Sequence, residues 1–304
     1  YADMQPQLEP HEFVRERVGS GMRLFVIGLA KKVILAGLLG TPFYALKALG
    51  PQALSVCGAW LGALLYALML YFDFSGYSDM AIGLGRMLGF RFPENFRYPY
   101  LCSSISDFWR RWHISLGSWF KEYLYFPLGG SRTGTLRTLR NLLLVWLATG
   151  LWHGASWNYV LWGLYFGVLI CLEKLLAPRF RAHPRKGLLA GLYRPVCLLL
   201  AVLGWVLFRA EDLPAAGRYF ACLFGGAAGA SAQARLYLHD FWPVLLLGAV
   251  GATPLCAKLA GRLGAKLQPG VRAAVQAVLV LALLACSTVW LLNGSFQSFV
   301  YFQF

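Results

Sequence analysis

The chain has 304 residues, of which 58% are hydrophobic and only 13% charged, and it carries a formal net charge of +15. Soluble domains run nearer to about 45–50% apolar and about 25% charged. With its several long apolar runs, the composition excludes an ordinary soluble domain and leaves a polytopic, all-α transmembrane protein. The positive charge does not imply nucleic acid as a partner. Lys and Arg gather in short loops between apolar runs, the positive-inside distribution, and not on a basic face interleaved with exposed aromatics.

The opening stretch 1–23 is polar, with Pro6 and Pro10, and shows no cleavable signal peptide. Apolar segments then predict helices near 24–46, 54–72, 142–152, 157–177, 194–208, 241–257 and 273–292. Lys31 and Lys32 lie early in the first of these, where their stems are expected to snorkel toward the nearer surface. Residues 73–140 mix aromatics with charges. Their helices are expected to lie in the interface or to re-enter the bilayer, geometry tolerated only beside protein or a water-filled cavity. Within this stretch Asp73 and Asp79 sit among hydroxyls. They read either as an acid pair or, better, as polar residues ordering a helix junction. Gly83, Gly85 and Gly89 do not fit a dinucleotide fingerprint and predict close helix packing. Gly129-Gly130 after Pro127 predicts a turn, and 213–226 predicts an external surface helix.

Loop charges set an orientation. The basic loops 12–23, 178–194 and 258–272, together with 73–140, are assigned to the cytoplasm, and 47–53, 209–240 and the C-terminus to the outside. The seven scattered cysteines read as small buried hydrophobes. The whole chain, 1–304, is expected to form one membrane domain, with the motif-bearing region in 1–170 and further transmembrane helices in 171–304.

Two places carry chemistry. The apolar run Leu142–Leu151 is too short to cross a bilayer and ends on Trp152-His153-Gly154. Counting from Arg140 at an interface, thirteen helical residues rise about 20 Å, past the midplane of a core roughly 30 Å thick. An ionisable ring at that depth is a functional-site candidate. It is either a core histidine satisfied by backbone carbonyls or a general base, for which burial favours the uncharged ring. Metal binding is the weaker reading. The chain has five histidines with no pair at i, i+4, and His11, His183 and His239 fall in separate loops. The second place is Asp107-Phe108-Trp109-Arg110-Arg111-Trp112-His113-Ile114-Ser115-Leu116. On one helix, Trp109, Trp112 and His113 share a face and Asp107 reaches Arg110 and Arg111. For Arg110, Arg111 and Trp112 an interfacial aromatic-and-basic belt stands beside a functional role, whereas His113 reads as functional. The segments 194–208, 241–257 and 273–292 are almost free of charge, which favours one localised site over a transport path.

These motifs, with Tyr123-Leu124-Tyr125-Phe126-Pro127-Leu128-Gly129-Gly130 and Gly150-Leu151-Trp152-His153-Gly154, resemble the membrane-bound O-acyltransferase family, and within it the bacterial alginate O-acetyltransferase branch. Tyr71 to Gly83, the opening Tyr1-Ala2-Asp3 to Gln7-Leu8 and the closing Phe299-Val300-Tyr301-Phe302-Gln303-Phe304 are similar to the same branch. The resemblance is specific over roughly 1–170 and again at the C-terminus. It implies helices around a buried histidine site, acyl transfer to a hydroxyl, His153 as principal catalytic residue and His113 as the second motif histidine. Asp107, Trp109, Arg110, Arg111, Trp112 and Trp152 are then expected to bind substrate. It implies no bound cofactor and no metal, with acetyl-CoA or a similar acyl thioester as donor. Location would be the bacterial inner membrane, with periplasmic acetyltransferase partner proteins and an exported polysaccharide, alginate first, as acceptor. Peptidoglycan or another surface polymer, and teichoic acid D-alanylation, are alternatives, as is a non-catalytic acyl-carrier transporter. Family members have further helices before the position of Tyr1, so the chain is expected to be a fragment lacking them.

Overall fold

A computed structural model describes residues 5–8, 14–132, 134–181, 188–225 and 232–293. His11, His183, Arg185, Lys186, the opening Tyr1-Ala2-Asp3 and the closing motif from Phe299 lie outside the described residues. Within them the fold is all-α, with a single isolated bridge pairing Phe96 with Trp112. In chain order the helices are α1 (Arg15–Ala30), a π-helical turn (Lys31–Leu35), α2 (Ala36–Ala48), α3 (Gly50–Ala53), α4 (Val56–Met87), α5 (Ile105–Trp109) and α6 (Ile114–Phe120). A second π-helical turn (Lys121–Tyr125) leads to α7 (Thr135–His153), α8 (Trp157–Arg181), α9 (Leu188–Arg209), α10 (Leu213–Leu223), α11 (Ala232–Gly251), α12 (Leu255–Ala265) and α13 (Pro269–Leu292). Five stretches among the described residues are long and apolar enough to cross a membrane: Arg15–Ala48, α4, Trp157–Leu176, Gly191–Arg209 and α13. The pattern is that of a multi-pass membrane protein.

The residues gather into two units. The first comprises Tyr1–Pro42, Leu68–Asn95 and Phe241–Gln303, and the second Phe43–Ala67 and Phe96–Asp240, with Phe304. In the first unit α1 runs antiparallel to the C-terminal half of α4 on paired glycines. A Cβ on Gly21 would come within 2.6 Å of the Gly83 carbonyl oxygen, and one on Gly76 within 2.6 Å of that of Gly28. One glycine every seven residues on each helix keeps the same face open for close approach. This bears out the packing role of Gly83. Gly89, by contrast, ends the helix in a left-handed turn at φ 94°, and Gly85 makes room for the Phe92 ring.

The same crossing corrects the reading of Lys31 and Lys32. Each meets an acid on α4. Lys31 Nζ lies 2.6 Å from Asp79 Oδ2, and Lys32 pairs with Asp73, both side chains being about 95% buried. An acid within reach of each ammonium removes the need to seek water. The carboxylates are likewise neutralised in place, so α4 does not stop at residue 72 but continues unbroken to Met87. Asp73 and Asp79 therefore lie inside a helix and not at a helix junction. Residues 241–257, expected as one apolar helix, are divided between two. The chain breaks after Gly251, turns by 73° and resumes at Leu255, with Pro254 as the first residue before α12. Proline lacks the N–H that would continue the ladder. Residues 258–265, expected as loop, are thus helical, as are Arg15 to Arg23 at the N-terminus. His239, also expected in a loop, is part of α11 beside Asp240.

In the second unit α7 and α8 form a hairpin packed through glycines. A Cβ on Gly150 would collide with the Tyr159 carbonyl, and one on Gly163 with the Trp146 carbonyl. Helix α10, Leu213–Leu223, accounts for most of the helix expected over 213–226. Its start is capped by Asp212, whose carboxylate accepts from Ala215 N at 2.6 Å. Its face packs on α4, where Tyr219 Oη donates to Ala59 O at 2.7 Å and Trp60 Nε1 to Leu223 O at 3.0 Å. Four of the seven cysteines, 102, 171, 197 and 222, are buried; Cys256 and Cys286 face outward.

Candidate active site

All eight sequence-predicted site residues fall in the second unit. Helix α7 begins at Thr135, ahead of Arg140, and ends on His153. The imidazole is set among aromatic edges. Its centroid lies 4.9 Å from Trp162, 5.1 Å from Phe208 and 4.9 Å from Trp152. Gly154 follows because a side chain there would meet the Tyr159 ring at 2.9 Å. One side of the histidine stays open. It lines a cavity of about 710 Å³ with Gly154, Ala155, Ser156, Trp157, Tyr159, Asp212, Leu213 and Pro214. Between the lining residues Trp157 and Tyr159, Asn158 is buried, 1% exposed, and its Nδ2 donates to Ala210 O at 2.7 Å.

The second cluster is not one helix. Ser104 Oγ accepts from Asp107 N at 2.9 Å and starts α5, which ends after Trp109. Residues 110–113 form an elbow, and His113 adopts φ 45°, ψ 55° immediately before α6. A left-handed non-glycine residue costs on the order of 1–3 kcal/mol and persists only where its surroundings determine it. Here Arg97 N donates to Arg111 O at 2.9 Å across the Phe96–Trp112 bridge. The Trp112 ring, 2% exposed, is clamped by Trp205 at 4.6 Å and Phe96 at 5.1 Å. The single helix expected to carry Trp109, Trp112 and His113 on one face is therefore absent: α5 ends after Trp109, and the left-handed His113 changes the chain direction before α6. Trp112 is neither an interfacial belt residue nor exposed to the cavity. Trp109 likewise packs on Trp146 at 4.7 Å and Phe166 at 4.9 Å.

The expected ion pairs do form. Asp107 Oδ2 lies 3.1 Å from Arg111 Nε, and Oδ1 lies 3.6 Å from Arg110 Nη2. Burial alone would raise the Asp107 pKa, but hydrogen bonds from Ser103 and Arg111 outweigh it and hold the carboxyl below its usual range. Arg110 extends outward, with 67% of its side chain exposed, against 33% for Arg111. The two histidine motifs meet at Trp152, whose ring lies 4.9 Å from His153 and 6.4 Å from His113. His113 Nδ1 also lies 3.3 Å from Ser115 Oγ.

Two polar residues that hold neighbouring segments were not singled out from the sequence. Asn141, fully buried, donates from Nδ2 to Leu128 O at 2.9 Å and Gly130 O at 3.1 Å, and so fastens the Pro127–Gly130 turn to α7. Gly129 and Gly130, at φ 96° and 57°, bear out that turn. Glu173 on α8 accepts from the start of α5. Both are polar residues inside or beside apolar runs, a signal available from hydropathy alone.

Helices long enough to span a bilayer define a multi-pass membrane protein, and both histidine motifs fall within its second unit. Residues 8–204 match the MBOAT, membrane-bound O-acyltransferase, family, and the chain belongs to that family. It is 46% identical over 228 residues to the probable alginate O-acetylase AlgI of Pseudomonas fluorescens, an alignment covering 74% of this chain and 44% of that protein. It is 40% identical over 222 residues to the peptidoglycan O-acetyltransferase of Helicobacter pylori (71% and 41% covered). A teichoic acid D-alanyltransferase of Bacillus subtilis is 32% identical over 160 residues (50% and 40% covered). The chain thus spans less than half the length of these relatives.

Proposed function

We propose that this chain forms the histidine-bearing part of an O-acyltransferase that moves acetyl groups from a cytoplasmic thioester such as acetyl-CoA toward an exported polysaccharide, most directly alginate. The observation that carries the reading is His153 on the wall of a cavity of about 710 Å³, with Trp152 between its ring and that of His113. An uncharged imidazole takes the proton of an acceptor hydroxyl as its oxygen attacks the thioester carbonyl. The new O–acyl bond forms, the C–S bond breaks, and the proton passes to the departing thiolate. The acceptor hydroxyl belongs either to the polymer or to a carrier that hands the acetyl group to periplasmic partner proteins. The inner membrane is the site where a cytoplasmic thioester and an exported polymer are both within reach.

Identity to alginate O-acetylases favours alginate as acceptor, and 40% identity to a peptidoglycan O-acetyltransferase makes peptidoglycan the second reading. The test is complementation with the full-length protein in a strain lacking it, measuring ester-linked acetate in both polymers. Restored alginate acetate is the expected result. Acetate restored only in peptidoglycan moves the acceptor, and restoration in neither rejects the transferase reading.

On the donor side, Arg110 is the better placed of the two arginines for phosphate, since Arg111 is held closer to Asp107. Charge-neutral Arg110→Gln with Arg111→Gln is expected to weaken acetyl-CoA binding about 10-fold or more, the size of a lost charge-assisted hydrogen bond. Equilibrium binding to the purified full-length protein decides it; unchanged affinity removes both arginines from the donor site.

A further inference from the structure

Glu173 sits on α8, outside the motif clusters, yet its carboxylate collects four donors. Oε1 accepts from Ile105 N at 2.5 Å and Tyr193 Oη at 2.8 Å, and Oε2 from Ser106 N at 2.9 Å and Ser106 Oγ at 2.6 Å. Ile105, Ser106 and Asp107 are the first residues of α5, whose leading N–H groups have no partner within the helix. Glu173 satisfies the first two, and Ser104 Oγ the third at 2.9 Å. Asp107 in turn accepts from Ser103 N at 3.0 Å and pairs with Arg111, two residues before the left-handed His113.

We infer that Glu173 is a positioning residue for acyl transfer: by clamping the start of α5 to α8 and α9, it fixes the elbow that presents His113 beside Trp152. This rests on the transferase reading above. The clamp uses the same helix that supplies Trp157, Tyr159 and Trp162 to the surroundings of His153, so one rigid element references both histidines. A strained backbone at His113 needs such an anchor. Released at its N-terminal end, α5 can rotate, and the elbow relaxes toward ordinary φ values.

Glu173→Gln keeps the shape but turns one acceptor oxygen into a donor that faces other donors. In the full-length protein, at normal membrane level, it is expected to lower kcat about 10-fold or more while donor KM changes less than about twofold, the pattern of misplaced catalytic geometry. A second readout is independent of turnover: acylation of individual histidines by diethyl pyrocarbonate, followed by mass spectrometry. His113 is expected to react several-fold faster in Glu173→Gln, with the exposed His239 unchanged as internal reference. Ser106→Ala, which removes one of the four bonds, is expected to shift both readouts in the same direction by less, and it carries the test if Glu173→Gln fails to reach the membrane. Wild-type kcat in the tested variant, or lost kcat with unaltered His113 reactivity, overturns the inference. Full turnover in His113→Gln is a different failure. It refutes the role given to His113 in transfer, and the acylation readout still reports whether Glu173 holds the elbow.

Discussion

His153→Gln in the full-length protein is expected to lower polymer acetylation by about 100-fold or more, the lower range of a lost general base, while the protein accumulates normally in the membrane. The ring is gripped edge-on by Trp162 and Phe208, centroids about 5 Å away, so the variant has to separate chemistry from packing. Alanine leaves a void among these rings and lowers stability on that account alone. Glutamine retains most of the volume and can still hydrogen-bond, but it cannot take a proton near neutral pH. A core histidine satisfied by its neighbours predicts the reverse order, with alanine damaging membrane level and glutamine nearly silent. A transporter reading also predicts a nearly silent glutamine, since translocation of an acyl carrier requires no proton acceptor on the wall of this cavity. Ester-linked acetate per unit of membrane protein is the measurement, and normal values in His153→Gln end the catalytic assignment.

Most of the helical pattern was legible because it follows from apolar run lengths. Helices α8, α9 and α13 begin and end close to where hydropathy places them. Failures came where charges meet each other and not water. Asp73 and Asp79 interrupt an apolar run in sequence, yet they continue α4 because Lys32 and Lys31, more than forty positions away, neutralise them. No local window contains that information. The site divides along the same line. The placement of His153 at a helix end was readable from Gly154 and the short apolar run, and the Asp107–Arg111 pair from its i, i+4 spacing. The left-handed turn at His113 was not, because it depends on the Phe96–Trp112 bridge and on Trp205 clamping Trp112. A sequence with two tryptophans and a histidine at helical spacing reads as one face until those distant contacts are known.

The buried pair of Lys32 and Asp73 gives the largest expected effect on stability. Charges removed from water are costly singly and tolerable as a hydrogen-bonded pair. Lys32→Met removes the cation and leaves the Asp73 carboxylate about 95% buried beside an apolar stem. The expected loss is about 3–5 kcal/mol, enough to deplete the protein from the membrane. Lys32→Met combined with Asp73→Leu removes both charges at similar volume and is expected to restore unfolding resistance to within about 1 kcal/mol of the parent, or above it. The glycine contacts of Gly21 with Gly83 and Gly28 with Gly76 remain in both variants, so α1 keeps its seat on α4. Membrane abundance and the thermal midpoint of the purified full-length protein read the difference. If the double variant is as unstable as the single one, the two charges do not compensate each other, and the continuity of α4 through Asp73 needs another cause. If it is stable and still transfers acetyl groups at the parental rate, the pair is structural, and the chemistry stays with the histidines of the second unit.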